Sequence, residues 1–238
     1  MSYTFNWPLI FSGDYGRWFV DGLAVTLELS GVSIVLALGL GTVLTVLRLS
    51  RVTPLVWFAA GYVEFFRNTP LMVQIFFWYF GSDPILPAFF KAWLYQQNIE
   101  FATAVIALST YTAAFIAEEL RSGILSIPKT QLEASRATGL TFLQAMGYVI
   151  LPQAFRIIIP PLISQFLNLI KNSSLAMTIG VMELTYMARQ VEAHTFHGFE
   201  AFTVSTLIYL SLSLLVSLII NQYNARVLRI GSSRRNSL

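Results

Sequence analysis

There is no cysteine in the 238 residues of this chain, and acidic and basic side chains together make up only 11% of it. The first absence excludes disulfides, thiolate metal ligands and a cysteine nucleophile. The second excludes an ordinary soluble domain, in which charged residues approach about a quarter of the sequence. No G-x-x-x-x-G-K followed by Ser or Thr, no H-E-x-x-H and no G-x-S-x-G occurs, so ATP hydrolysis, zinc-peptidase and esterase chemistry have no motif here. The two histidines, His194 and His197, are three apart with no third ligand evident, and read as exposed loop residues. From Met1 to Arg17 there is no basic region followed by a short apolar core and a small-residue cleavage site, so no leader is expected to be removed.

What the chain does have is apolar length. Hydrophobic residues make up 55% of it and the mean hydropathy is +0.65. A helix spanning the hydrocarbon core needs ~20 predominantly apolar residues. Such runs occur at Leu23–Leu47, Leu55–Phe80, Phe101–Leu120, Met146–Ile170 and Phe202–Ile220, which predicts an all-α polytopic membrane protein with five transmembrane helices. Trp7, Tyr15, Trp18 and Phe19 suit an interfacial lead-in to the first span, because aromatic rings favour the headgroup level.

Lys and Arg collect in short cytoplasmic loops. One set of loops carries Arg48, Arg51, Arg121, Lys129, Arg136, Arg226, Arg229, Arg234 and Arg235, whereas the opposite set holds only Arg17, Lys91 and Arg189. The N-terminus is therefore expected outside and the C-terminus inside. The net charge of +3 reports this topology, and no nucleic-acid partner is implied.

Several polar features interrupt the apolar spans. Gly31, Gly39 and Gly41 in the first span offer a close-packing surface for another helix. In the second, Glu64 and Arg67 are three apart and can pair, while Pro70 removes a backbone hydrogen bond and bends the helix; a structural ion pair and a cavity-lining helix are both open readings. Ser82-Asp83-Pro84, Pro87 and Tyr95-Gln96-Gln97-Asn98 punctuate the following outer loop. Glu118 and Arg121 fit a structural ion pair at the inner end of the third span, and Ser126-Ile127-Pro128-Lys129 stops one helix and begins another. In the fourth span Gln165, Asn168 and Asn172 recur at three- and four-residue spacing, a polar stripe that must face protein or water. The stripe runs into Lys171, Ser173 and Ser174, and the apolar stretch Leu175 to Met187 resumes after it, which suggests the discontinuous helices of transporters and marks a substrate-contact zone. Asn172-Ser173-Ser174 matches a glycosylation triplet only by chance, since the membrane context gives no accessible loop there.

Between the third and fourth spans lies the most ordered polar segment: Glu133-Ala134-Ser135, Gly139 six residues after the Glu, then Val149-Ile150-Leu151-Pro152. It reads as a short amphipathic helix, a turn at Gly139, a second helical piece from Thr141, and Leu151-Pro152 opening the fourth span. Glycine suits the turn because it takes positive φ without a Cβ clash.

This segment resembles the "EAA" loop of bacterial ABC-importer permeases, with consensus E-A-A, three residues, G, nine residues, I-x-L-P. The spacing is complete, with Ser135 for the second Ala and Val149 for Ile. Phe66-Arg67-Asn68-Thr69-Pro70-Leu71 with Gln74, Ser122 through Lys129, Ile150-Leu151-Pro152-Gln153-Ala154, Pro160-Pro161-Leu162, Lys171-Asn172-Ser173-Ser174-Leu175 and Ile179-Gly180 are similar to the polar amino acid uptake permeases. The resemblance covers about Gly22 to Arg226, nearly the whole chain.

It implies a type I ABC-importer permease fold with a cytoplasmic coupling helix. Residues 1–21 would be an outer interfacial segment, 22–228 the permease domain with its coupling loop at 122–147, and 229–238 a cytoplasmic tail. The implied partners are two cytoplasmic ABC ATPase subunits, a second permease subunit (itself or a sister), a periplasmic amino-acid-binding protein and membrane lipid. No cofactor is implied on this chain, since ATP and Mg belong to the ATPase. The chain would be a transporter subunit of the bacterial inner membrane, without enzymatic activity of its own. Glu133, Ala134, Ser135, Gly139, Leu151 and Pro152 would couple it to the ATPase. Arg67, Asn68, Thr69 and Gln74, with Gln165, Asn168, Lys171, Asn172, Ser173 and Ser174, would contact substrate.

Relatives handling basic amino acids carry Lys-Asp-Ser/Thr-Ser where this chain has Lys171-Asn172-Ser173-Ser174. Asn172 removes a carboxylate and leaves Lys171 and Arg67 as anion partners, which favours glutamate or aspartate. Glutamine or another neutral or basic amino acid is the alternative, and a passive channel, which would explain only the polar stripe, is the alternative of a different class.

Overall fold

The computed structural model describes residues 3–81, 91 and 98–233, and every regular element among them is helical. In chain order these are α1 (Trp7–Phe11), α2 (Tyr15–Leu49), α3 (Thr53–Asn68), α4 (Leu71–Phe76) running into a π turn (Phe77–Gly81), and α5 (Ile99–Leu125). Then come α6 (Lys129–Ala137), α7 (Phe142–Ala145), a π turn (Met146–Ile150), α8 (Leu151–Asn172), a 3-10 turn (Ser173–Ile179), α9 (Leu184–Thr195) and α10 (Gly198–Ser233). The punctuation expected at Ser82-Asp83-Pro84, Pro87 and Tyr95-Gln96-Gln97, and the tail residues Arg234 and Arg235, lie outside the described residues.

Among the described residues four helical stretches are long and apolar enough to cross a membrane: Tyr15–Leu49, Ile99–Leu125, Phe142–Ile179 and Gly198–Leu218. The second expected span, Leu55–Phe80, is not one of them, because it is broken between α3 and α4. Thr69 and Pro70 are extended, with ψ of 139° and 133°. A proline at position 70 has no N–H to give the carbonyl four residues back, and its ring crowds that turn. The buried Gln74 side chain supplies the missing donor: its Nε2 donates to the Phe66 carbonyl (3.1 Å), the Thr69 carbonyl (3.2 Å) and Thr69 Oγ1 (2.6 Å). The break is thus a satisfied one, as a chain without access to bulk water requires.

The other prolines have a different outcome. Pro160 and Pro161 lie inside the continuous α8. Pro152 sits two residues past a π turn, where the Leu151 N–H reaches back to the Met146 carbonyl and Gln153 Nε2 donates to the Val149 carbonyl (2.7 Å). The wider turn absorbs the lost donor without ending the helix.

Helices α2 and α5 form the spine. At 35 residues, α2 is about 52 Å long, more than the hydrocarbon core requires, so it tilts or projects. Its contact with α5 is built from small residues and hydroxyls, the means by which helices approach closely in lipid. Ala104, Ala107, Ala113, Ala114 and Ala117 of α5 are all fully buried. Thr45 Oγ1 donates to the carbonyls of Gly41 (2.8 Å) and Ala117 (3.1 Å), and Ser109 Oγ to the Ser33 carbonyl (3.3 Å). Of the three glycines expected to pack, Gly41 does so against Ile116, whereas Gly31 and Gly39 face open space.

At one end of the spine, Arg48 of α2 and Arg121 of α5 both pair with Glu118, so the expected ion pair is a triad joining two helices. At the other end α1, α9 and α10 close a third core around Ile10, Phe19, Leu184, Ala188 and Val191. Two carboxylates are fully buried there. Glu183 caps α9, accepting from the Thr185 and Tyr186 N–H groups and from the Tyr209 hydroxyl. Glu200 accepts from the Tyr3 hydroxyl and the Asn6 N–H, tying the N-terminal segment to α10. It also faces His197 Nδ1 at 3.3 Å, so His197 is not the exposed residue expected, although His194 is exposed. Hydrogen bonding to Glu200 holds the Tyr3 phenol above its ordinary pKa.

Candidate functional site

The polar stripe of α8 lies beside α5, with Gln165 and Asn172 half-buried and Asn168 exposed. Gln165, Asn168 and Asn172 line an open cavity of about 250 Å³, together with Leu169 of the same helix and Tyr111, Thr112 and Phe115 of α5. Two turns of α8 place the three amides on one face. On α5, Thr112 and Phe115 are three apart and face them. This second wall was not read from the sequence; the signal for it was the helical spacing of Thr112, Phe115 and Glu119, all on one face of α5.

Arg67 does not line this cavity but touches Phe115, which does. Its guanidinium carbon lies 5.4 Å from the centroid of the Phe115 ring, a cation–π distance. The Glu64–Arg67 ion pair does not form. Glu64 Oε2 instead accepts from Asn68 Nδ2 (3.0 Å), which also donates to the Glu64 carbonyl (2.7 Å). An amide four residues on competes for the same carboxylate that an arginine three residues on would need. Glu64, Arg67 and Asn68 are all exposed on this chain.

The remaining expected contact residues lie away from the cavity. Thr69 and Gln74 are committed to the Pro70 break, with Thr69 Oγ1 also donating to the Phe65 carbonyl (2.9 Å). Gln74 Oε1 is buried without a partner. Ser173 is fully buried and its hydroxyl donates to the Ile170 carbonyl; Ser174 donates to the Lys171 carbonyl, and Lys171 is exposed. The α-helix does give way at Ser173, to a 3-10 turn followed by the short α9. The apolar stretch Leu175 to Met187 is divided by the buried Glu183 cap, so the helices here are discontinuous.

The second candidate region is α6 with its following turn, at the end of the spine that carries the Arg48–Glu118–Arg121 triad. Pro128 precedes α6 and Gly139 follows it with φ of +93°. The Leu140 N–H reaches the Ser135 carbonyl (3.4 Å) and the Gly139 N–H the Arg136 carbonyl (3.0 Å), a helix end of the kind a left-handed glycine permits. Ser135 is buried and its hydroxyl donates to the Leu132 carbonyl (2.9 Å), so the residue that departs from the expected alanine points inward. Glu133, Ala134, Arg136 and Ala137 are exposed. Thr141 and Gln144 form a reciprocal capping box for α7, after which Leu143 and Tyr148 stand 80% and 76% exposed. Leu151 and Pro152 continue directly into α8, which leads to the cavity.

The cavity and the exposed helix are linked where α5 crosses α8. A Cβ on Gly123 would fall 2.1 Å from Ile158 Cγ1, so the Ile158 side chain fills the space that glycine leaves.

Residues 31–229 match the family described as the inner membrane component of binding-protein-dependent transport systems. The chain is 40% identical over 214 residues to the probable glutamine ABC transporter permease protein GlnM of Bacillus subtilis, covering 90% of this chain and 95% of that one. It is 34% identical over 237 residues to the glutamate/aspartate import permease protein GltJ of Escherichia coli K12, covering 95% and 96%. It superposes with a TM-score of 0.84 on a chain from the crystal structure of an amino acid ABC transporter with histidines, at 30% identity and with 94% and 100% coverage.

Proposed function

The chain belongs to the family of inner membrane components of binding-protein-dependent transport systems, as a permease subunit of the amino-acid ABC importers, and from that premise we propose that it imports glutamate or aspartate by alternating access. The observation that carries the reading is the cavity of Gln165, Asn168 and Asn172 beside Arg67. Its lining is polar but holds no carboxylate, which suits an anionic cargo. A second reading, glutamine, is favoured by the three amides themselves, which can donate to and accept from a carboxamide, and by the 40% identity to GlnM.

Transport is driven from outside the chain. Two ATPase subunits, using ATP and Mg, dock on the exposed face of α6, where Glu133 offers a carboxylate to a basic groove and Ala134 leaves room for it. Gly139, Leu151 and Pro152 pass that movement into α8. A periplasmic binding protein delivers the substrate. The second permease subunit covers Glu64, Arg67 and Asn68: charges exposed in the middle of an apolar segment need protein or water against them. In this arrangement α3 and α4 together make the fifth crossing. The nine-to-three distribution of Lys and Arg supports an outer N-terminus and an inner C-terminus.

The test is competition for uptake by a panel of amino acids, in the complex reconstituted with its binding protein and ATPase. Displacement by glutamate and aspartate at the lowest concentrations is expected. Displacement by glutamine alone would replace the first reading with the second.

A further inference from the structure

Glu119 is outside the cavity's lining but touches it through Gln165, and neither sequence motif nor ion pair accounts for it. It lies one turn beyond Phe115 on the same face of α5, between the cavity and the Gly123–Ile158 crossing. Its neighbour Glu118 is occupied by Arg48 and Arg121. Glu119 Oε1 instead faces Gln165 Nε2 of α8 at 3.5 Å, a long hydrogen bond across the two helices. Gln165 is also a wall of the cavity.

A side-chain amide has a donor end and an acceptor end, and an ionised carboxylate can only accept. Glu119 therefore fixes which way Gln165 is turned: the NH₂ points to Glu119, and the carbonyl Oε1 is left for the cavity. We propose that Glu119 is a positioning residue that makes Gln165 a hydrogen-bond acceptor at this end of the site, where it receives the ammonium group of the amino acid, so that the substrate side chain lies toward Asn172. This deepens the substrate reading above and rests on it. The carboxylate beside Gln165 separates the two ends of the cavity by chemistry: an acceptor at Gln165, neutral amides at Asn168 and Asn172.

The experiment is equilibrium binding of radiolabelled glutamate and glutamine to the permease–ATPase complex in nanodiscs, without the binding protein, so that its selectivity does not mask the cavity's. Glu119→Gln keeps the shape but can face Gln165 with either end. It is expected to weaken binding of both amino acids roughly tenfold, the order of a hydrogen bond to a charged group. Gln165→Glu alone sets two carboxylates face to face and weakens binding as well. The swap Glu119→Gln with Gln165→Glu restores the donor–acceptor pair and again leaves an acceptor in the cavity, so binding is expected to recover; a merely structural contact would not show this rescue. Unchanged binding in Glu119→Gln, with Asn172→Asp altering binding, overturns the positioning role and leaves the cavity standing. Absence of binding by the unaltered complex, or binding that neither Asn172→Asp nor Glu119→Gln alters, removes the cavity as the substrate site and this inference with it.

Discussion

The exposed α6 segment and the cavity between α5 and α8 are built in opposite ways. The first is contiguous: nine helical residues, a glycine with φ of +93° and a capping box within 16 residues of chain, from Lys129 to Gln144. Its functional face is defined by what it leaves exposed. The second is assembled from residues 111–115 and 165–172, brought together by helix crossing. Its face is defined by which two helices come together. A local motif can be recognised from spacing alone, whereas a site between helices depends on which helix comes to lie opposite. The Gly123–Ile158 crossing joins the two regions, and substitutions on either side of it should separate their contributions.

The largest effect is expected from breaking the crossing itself. Gly123→Leu forces a side chain into Ile158, and overpacking of this kind costs about 1–3 kcal/mol or more. Both the cavity and the α6 docking face should fail together, measured as lost thermal stability in detergent and lost ATPase association. Pairing it with Ile158→Ala should recover part of the stability, and a stable Gly123→Leu protein would show that the crossing is not the link.

Gly139→Val strains a left-handed turn by about 1–2 kcal/mol at a position where nothing lies within 4 Å of the added Cβ. The damage should stay local: ATPase stimulation and uptake lost, substrate binding in the cavity retained. Loss of binding as well would mean that the two regions are not separable.

Glu133→Lys acts on charge alone at an exposed site. The protein should insert and bind substrate normally while pull-down of the ATPase falls several-fold. Wild-type ATPase association would remove Glu133 from the docking face.

Asn172→Asp, the mildest change, touches only the cavity. A new carboxylate repels an acidic substrate by ~1 kcal/mol at a shielded site, about a fivefold loss, with ATPase association unaffected. Equal uptake of glutamate by both proteins would end the case for an acidic cargo drawn from this position.

Much of the fold was legible because bilayer physics constrains it so tightly. Apolar runs of membrane length located four of the helices, and Ser126-Ile127-Pro128-Lys129 marked the end of α5 and the start of α6 to within a residue. The α8 stripe was legible from its spacing. The fate of each proline was not. Pro70 breaks its helix while Pro160 and Pro161 do not, and the Gln74 side chain, four residues downstream, is what satisfies the break. The Glu64–Arg67 pair looked equally plausible on helical spacing, but Asn68 takes the carboxylate and Phe115, distant in sequence, takes the guanidinium.

The sequence by itself determined the helical class, the family, and the composition of the exposed α6 segment, since each rests on periodicity or on residues a few positions apart. Only the tertiary structure decided which polar residues share a space. It set Gln165, Asn168 and Asn172 opposite Thr112 and Phe115, and Gln165 against Glu119. It also withdrew Thr69, Gln74 and Ser173 into backbone hydrogen bonds. The physical reason is that a polar side chain in an apolar surround bonds to whatever donor or acceptor is nearest: for Thr69, Gln74 and Ser173 that is backbone within eight residues, whereas for Gln165 it is a carboxylate on another helix.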